Sequence, residues 1–271
     1  MLEEARVGFI GGGNMGEALV RGLIKAGPLT PQQLYVFDVS HARMEYVRTT
    51  YAVNACSSVH ELAGMCTIIV LAVKPQNMVS VLHDMGDALS HRPLVISIAA
   101  GIPLSLLANH LSEDIPIIRV MPNTPALVLE GASALARGRH TTHEQMEQAL
   151  ALFRAVGTAM EVEEKWMDAV TGLSGSGPAY ILLLLEGLID AGVLMGLPRP
   201  TARDLILQTA LGTVRMLQET GKHPADLKDL ITSPGGTTIH GLQALEERGV
   251  RGALLKAVEA ATRRSEELGR H

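Results

Sequence analysis

The chain has 271 residues, 47% of them apolar and only 3% aromatic, and carries a formal charge of −5. That is enough for one large domain or two ordinary ones with a substantial core. Few aromatics, net negative charge and the lack of a basic run argue against a nucleic-acid partner. Two cysteines, Cys56 and Cys66, with no Cys/His cluster give neither a disulfide framework nor a zinc site, so no metal is expected and a reduced, cytoplasmic protein is. Residues 1–6 lack the basic start and apolar run of a signal peptide.

In chain order, residues 6–10 read as an apolar strand entering Gly11, and 18–26 as a helix. A second strand, 34–37, ends at Asp38. Helical patterns follow at 41–50 and 59–65, then a strand at 67–73 and a helix at 77–89. A strand at 94–98 leads to a helix at 104–111. Further strands are expected at 117–120 and 132–135, a helix from 143 to 156, and a short strand at 160–162. Alternation of this kind predicts a mostly parallel sheet covered by helices on both faces. From residue 165 onward the pattern is helical only: 166–172, 179–195, 200–220, 224–231 and 238–270. Pro198, Pro200, Pro224 and Pro234 punctuate these helices at their starts and turns. The expected organisation is therefore an α/β, doubly wound domain over 1–163 and an all-helical domain over 164–271. The longest apolar tract, 180–197, is interrupted by Glu186 and Asp190, four residues apart on one helical face. It reads as a buried or interface helix rather than a membrane span.

Gly11-Gly12-Gly13-Asn14-Met15-Gly16 matches G-x-G-x-x-G. The match gains weight from its context, because it follows a strand, opens a helix, and precedes Asp38 by 22 residues counted from Gly16. Gly11 permits the tight turn, Gly13 lets a pyrophosphate approach the backbone, and Gly16 allows close helix packing. Asp38 is placed to accept from both ribose hydroxyls, which favours NADH over NADPH. Ser40, His41 and Arg43 follow it and can offset its charge, so either cofactor stays open. Three later segments end strands where a doubly wound sheet binds its ligand: Ala72-Val73-Lys74-Pro75, Ser97 to Gly101, and Met121 to Pro125. Lys74 and Asn123 are their polar candidates for the cofactor.

Two further segments concentrate hydroxyls and glycines. Ser233-Pro234-Gly235-Gly236-Thr237-Thr238 predicts a tight turn, with Thr237 or Thr238 capping the next helix and free N–H groups suited to a carboxylate. Ser174-Gly175-Ser176-Gly177-Pro178 predicts a second loop of the same character.

With these segments in order, the chain resembles the pyrroline-5-carboxylate reductase family over nearly its full length. The motifs are G-F-I-G-G-G-N-M-G, A-V-K-P, S-I-A-A-G, M-P-N-T-P-A, T-G-L-S-G-S-G-P-A-Y and S-P-G-G-T-T-I, the last two being the most specific. The resemblance implies NAD(P)H-dependent reduction of the cyclic imine 1-pyrroline-5-carboxylate to L-proline, the last step of proline synthesis. It implies a Rossmann domain followed by a helical dimerisation domain, in an interlocked homodimer whose active site lies at the subunit interface, with no membrane and no nucleic-acid partner. Cofactor contacts carry over to Ile10, Gly11, Gly12, Gly13, Asn14, Met15, the second strand's end at Asp38, Ala72, Val73, Lys74, Pro75, Ile98, Ala99 and Ala100. Substrate contacts carry over to Ser233, Thr237, Thr238 and Glu164. Many members carry a hydroxyl residue at Asp38, a departure that bears on NADPH use. On chemical grounds Ser233 and Thr238 are the catalytic candidates, with Gly235 and Gly236 supplying backbone N–H groups around the carboxylate.

Two other readings compete. β-Hydroxyacid dehydrogenases place a lysine and an asparagine where this chain has Ile181 and Leu185 after Gly172-x-x-Gly175-x-Gly177, and isoleucine is no base. A non-enzymatic dinucleotide sensor needs the glycine turn but not the polar segment 233–238.

Overall fold

The computed structural model describes residues 2–269. The expected helix end at Arg270, and residues Met1 and His271 of the two expected domains, lie outside the described residues. Two compact units are present. One holds the residues up to Ser176 together with those from Glu259 onward; the other is Gly177–Val258. The strand-to-helix change falls after residue 161, close to the expected boundary, whereas the compact units part later.

The first unit is built on an eight-stranded sheet. In chain order its elements are β1 (Val7–Ile10), α1 (Asn14–Ala26), β2 (Leu34–Phe37), α2 (His41–Tyr51), β3 (Asn54–Ala55), α3 (Val59–Met65), β4 (Ile68–Leu71), α4 (Met78–Met85), β5 (Leu94–Ser97), α5 (Leu104–His110), β6 (Ile117–Met121), β7 (Gly131–Arg137), α6 (His143–Arg154), β8 (Gly157–Glu161) and α7 (Met167–Val170). The strand order is β3-β2-β1-β4-β5-β6-β7-β8, parallel except for the β6–β7 pair. The first six positions follow the doubly wound 3-2-1-4-5-6 order, whose ligand crevice opens where the order reverses, beside β1.

Strand alternation divides the core between the two faces. Val7, Phe9, Ile68, Val70, Leu94 and Ile96 pack with Leu19, Leu23 and Phe153 on one side. Ile10, Ile69, Leu71 and Val95 pack with Leu62, Met78, Leu82 and Leu107 on the other. Each such side chain contributes about 1.5–3 kcal/mol by burial, and both faces must be covered, so the strands read as continuous apolar runs.

The helical unit contains α8 (Gly177–Leu194), α9 (Arg199–Thr220), α10 (Pro224–Leu230), α11 (Thr237–Glu247) and the start of α12 (Val250–Gly269). The single expected helix over 238–270 is two helices. Arg248 and Gly249, the latter at φ +67°, break it, because a left-handed residue cannot continue an α-helix. The expected loop at 174–178 is also corrected. Thr171–Gly175 forms a π-helical turn in which the Ser174 hydroxyl donates to the Val170 carbonyl at 3.0 Å, and α8 begins at once at Gly177.

The two units bury their apolar residues very differently. Within Gly177–Val258 the buried apolar residues, among those described, are Ala202 and Leu227. Ile181, Leu182, Leu183, Leu188 and Leu194 are exposed, from 51% to 79%. The continuous helical stretch Glu164–Leu194 reaches a mean hydropathy of 1.6 and is long and apolar enough to cross a membrane.

Cys56 and Cys66 are both buried. Burial pushes the Cys56 thiol up to about 11 and the Cys66 thiol up to about 12. Both are neutral in the folded protein at pH 8, and neutral buried thiols are poor nucleophiles. A disulfide reagent at pH 8 is expected to titrate neither thiol in the folded protein and both in denaturant. Because both folded values lie above the unfolded one near 9, the stability these thiols contribute is complete below pH 9 and falls as pH rises toward 12. Rapid labelling of the native protein contradicts this.

Candidate active site

The turn between β1 and α1 leaves no room for side chains. Gly11 has φ +107°, and a Cβ there would lie 2.6 Å from the Ala72 carbonyl oxygen. A Cβ on Gly16 would lie 2.3 Å from the Gly11 carbonyl oxygen, whereas Gly13 faces open space. The tight turn at Gly11 and the close packing at Gly16 are those the sequence assigns to them. Gly13 caps α1 without any side-chain acceptor, so the first N–H groups of the helix are available to an anion.

Beside this turn lies a cavity of about 820 Å³. Ile10, Gly11, Gly13, Asp38, Ala72, Val73 and Lys74 line it, as the sequence expects. Ser57, Ser58, His60, Gln76 and Asn77 line it as well and were missed. The first three follow β3, a two-residue strand too short to leave a periodic signal. Pro75 opens the single 3-10 turn after Lys74. Gly12, Asn14 and Met15 sit in the turn and first helical residues, and Ile98, Ala99 and Ala100 follow β5; none of these is among the lining residues.

Asp38 ends β2 with both carboxylate oxygens engaged. One accepts from the Gly12 N–H and the other from the Ser40 N–H, each at 2.8 Å. Each oxygen keeps a lone pair for a further donor. Arg43 bonds to the Gly12 carbonyl oxygen and to Glu17. Glu17 also accepts from Tyr51 at 2.7 Å and Tyr46 at 3.3 Å. Burial raises the Glu17 carboxyl, but the hydrogen bonds from Tyr51 and Arg43 outweigh it and hold the group below the usual carboxylate range. Burial, then the Glu17 bond, pushes Tyr51 up to about 12.

Asn123 does not present its amide to the cavity. Its Nδ2 donates to the Ser174 carbonyl at 3.1 Å, and its Oδ1 accepts from the Ala132 N–H at 2.8 Å. The side chain ties the end of β6 to the π-helical turn and to β7. Glu164 is engaged inside the first unit in a similar way. Its Oε1 accepts from the Leu104 N–H at 2.7 Å, at the start of α5, and lies 3.5 Å from Nη1 of the buried Arg119.

In the helical unit, Gly235 at φ +66° turns the chain into α11. The Gly236 N–H donates to the Ser233 carbonyl at 3.0 Å, and a Cβ on Gly236 would fall 2.2 Å from the Ser233 hydroxyl oxygen. Neither threonine caps the helix as the sequence led us to expect. The turn completes one residue earlier, Gly236 is the cap, and Thr237 is the first helical residue. The N–H groups of Thr237, Thr238 and Ile239 therefore have no acceptor within the helix. Ser233 is exposed and Thr238 half-buried. Among the described residues no three His, Cys, Asp or Glu side chains gather as a metal site would require.

Comparison with known proteins places both units. Residues 164–268 match the family model described as pyrroline-5-carboxylate reductase dimerisation, and residues 6–101 match the one described as NADP oxidoreductase coenzyme F420-dependent. The pyrroline-5-carboxylate reductase of Methanosarcina acetivorans is 46% identical over 269 residues, 99% of this chain and 100% of that protein. Its namesake from Escherichia coli is 41% identical, covering 98% and 99% of the two chains. The solved structure of a pyrroline-5-carboxylate reductase from Coxiella burnetii superposes with a TM-score of 0.93 at 37% identity, covering 97% of this chain and 98% of that one. That of Plasmodium falciparum pyrroline carboxylate reductase, with NADP bound, gives 0.89 at 38% identity, covering 98% and 99%. Similarity at this level over the whole length establishes that the chain belongs to the pyrroline-5-carboxylate reductase family.

Proposed function

We propose that this chain reduces 1-pyrroline-5-carboxylate to L-proline with NAD(P)H, the last step of proline biosynthesis. The observation that carries the reading is a pairing of two features, one in each unit. The first unit has a glycine turn that fits a dinucleotide: no Cβ can be added at Gly11 or Gly16, Gly13 lies open, and Asp38 stands at the ribose end. The helical unit has a turn of free N–H groups and hydroxyls at 233–238. The functional division follows: 1–163 for the dinucleotide, 164–271 for substrate binding and dimerisation.

The bound dihydronicotinamide supplies the hydride, which goes to the imine carbon. The protein's part is to hold the substrate so that this carbon stays electrophilic. The imine nitrogen is protonated in the reactive form and keeps that proton in proline, so no strong general acid is required. The N–H groups of Gly235 and Thr237, with the Ser233 hydroxyl, hold the carboxylate, while the Gly236 N–H closes the turn onto the Ser233 carbonyl. The Thr238 hydroxyl accepts from the ring nitrogen's N–H and fixes the ring orientation. Glu164 acts at a distance, by holding the start of α5 after the Ile98 to Gly101 segment. On the cofactor side, Ile10 to Met15, Asp38, Ala72 to Pro75 and Ile98 to Ala100 form the contact surface. Asn123 supports it through the backbone it holds in place.

A second copy of the chain covers the apolar face of α8 in an interlocked homodimer. A unit whose buried apolar residues are Ala202 and Leu227 does not bury enough surface to be stable alone. Glu186 and Asp190 argue against insertion of the same helix into a bilayer; a charge near the bilayer centre costs about 3 kcal/mol, and Asp190 already bonds Arg199 at 2.7 Å. The dimerisation match over 164–268 supports the same assignment, and the reading carries with it a cytoplasmic location, in keeping with two buried, unpaired cysteines. Ile181 and Leu185 stand where a hydroxyacid dehydrogenase needs lysine and asparagine, and a dinucleotide sensor needs no turn like 233–238.

The deciding experiment is turnover. Purified protein is expected to consume NADH or NADPH, read as loss of absorbance, when given 1-pyrroline-5-carboxylate. Protein that binds either dinucleotide yet shows no imine-dependent oxidation of it would falsify the reading.

Light scattering at assay concentration is expected to give at least the mass of a dimer; a compact, active monomer is incompatible with the covered α8 face.

Thr238→Ala is expected to lose about 10- to 100-fold in kcat/KM for the imine, the size of one hydrogen bond to a charged centre. Cofactor affinity should be nearly unchanged. Thr237→Ala, which keeps its backbone N–H, should lose much less. Equal losses at both positions, or a folded Thr238→Ala enzyme with normal kinetics, remove the hydroxyl from the mechanism.

A further inference from the structure

The sequence leaves open whether Arg43 neutralises Asp38 and so admits the 2′-phosphate of NADPH. An arginine shortly after β2 is the usual device for that purpose. Here the guanidinium is turned away. Its Nε donates to the Gly12 carbonyl oxygen and its Nη2 pairs with Glu17, on the first turn of α1. It lies 5.1 Å from the centroid of the Tyr46 ring. The side chains of Arg43 and Glu17 are only 27% and 19% exposed, and neither residue lines the cavity in which Asp38 stands.

Glu17 is itself fixed. Tyr51 donates to it at 2.7 Å and Tyr46 at 3.3 Å, so three donors converge on one carboxylate. Freeing Arg43 breaks a charge-assisted bond and leaves a half-buried carboxylate less well satisfied. The basic side chains that line the cavity do not replace it. Lys74 follows β4, on the opposite side of β1 from β2, and His60 is held by Asp87 at 3.1 Å.

We propose that Glu17 is a positioning residue for cofactor choice: by holding Arg43 back on α1 it leaves the Asp38 carboxylate uncompensated at the end of β2, and the enzyme favours NADH over NADPH. A 2′-phosphate carries about −1.5 to −2 charge, so it meets repulsion from Asp38 with no cation to offset it. The inference rests on the proposed dinucleotide site, and its test separates the two.

The experiment measures dissociation constants of the full-length protein for NADH and NADPH, and for ADP against 2′,5′-ADP, by calorimetry, with kcat/KM for both cofactors. Wild type is expected to bind NADH and ADP more tightly than their 2′-phosphorylated counterparts. Glu17→Gln should raise the relative affinity for NADPH and 2′,5′-ADP by about tenfold, one charge-assisted hydrogen bond at a half-exposed site. In the Glu17→Gln, Arg43→Ala double variant the ratio should return to the wild-type value. Arg43→Ala alone should leave the ratio within about twofold of wild type, whatever it does to both affinities together. This single variant decides the matter even if Glu17→Gln fails to fold. A wild type that prefers NADPH, an Arg43→Ala protein with a lowered NADPH ratio, or a folded Glu17→Gln protein with an unchanged ratio overturns the role of Glu17 while leaving the site intact. Wild type that binds none of the four nucleotides overturns the dinucleotide reading itself, and this inference with it.

Discussion

The backbone at Gly11 is the constraint on which the nucleotide end depends. Its N–H donates to the Phe37 carbonyl at 2.8 Å, and one residue earlier the Ile10 carbonyl accepts from the Ala72 N–H at 2.8 Å. The ends of β1, β2 and β4 are thus locked together at one peptide. The carbonyl of the next peptide, on Gly11, lies so close to α1 that Gly16 has no space for a methyl group. Farther along α1, a Cβ on Gly22 would fall 2.3 Å from a Val156 methyl. Two glycines six residues apart therefore fix the height of the helix over the sheet. Once that height is set, Gly12 N–H reaches Asp38, Arg43 reaches the Gly12 carbonyl, and Lys74 is placed across β1 from both.

A second constraint ties the last part of the chain to the sheet. Arg119 lies on β6 and is 6% exposed. It lies within 3.5 Å of Glu164 and 3.7 Å of Asp168, and Asp168 accepts from the Ser265 hydroxyl at 2.7 Å. Buried charge of this kind adds little net stability over an apolar core, but removing one partner leaves an uncompensated charge. It selects one arrangement of α5, α7 and the end of α12. That end also meets the segment after β5: a Cβ on Gly101, at φ +74°, would lie 3.3 Å from the Leu268 Cβ. The residues that follow Ile98 are therefore held from behind by a helix that lies more than 150 positions later in the chain.

The sequence reports structure directly where the physics is local. Apolar runs gave the strands β1, β2, β4, β5 and β6 to within a few residues, because a strand buried on both faces leaves an unbroken run. The glycine fingerprint gave the backbone roles of Gly11 and Gly16 because each follows from steric demand at one position. The failures were of longer range. The break at Gly249 was hidden inside an otherwise helical pattern, since a glycine there is compatible with either a weak helix or a left-handed stop. The π-helical turn at 171–175 uses serines and glycines that read as a loop; a Cβ on Gly175 would lie 2.6 Å from the Met121 methyl, which would have to move aside. Asn123 stands out in the sequence as a polar residue after a strand, and Glu164 only through the family resemblance; neither reading reaches the bonds they make in the fold. Their partners, Ser174, Ala132, Leu104 and Arg119, are 9 to 60 positions away, and no pattern reveals them.

The same distinction governs cofactor choice. Discrimination between NADH and NADPH is a difference of two affinities, and it is achieved as well by a repulsive group as by an attractive one. Asp38, the group we propose as repulsive, is legible from its position after β2. The candidate counter-charge, Arg43, is legible as a residue but not as an orientation. Its direction is set by a carboxylate 26 positions earlier in the chain and by two tyrosines on its own helix that hold that carboxylate still. A charge count along 38–43 gives one anion and one cation and predicts near-neutrality. The folded arrangement gives an anion facing the cavity and a cation already neutralised behind it. The electrostatics of the site therefore follow from pairing, and pairing follows from the height at which Gly16 and Gly22 let α1 settle on the sheet.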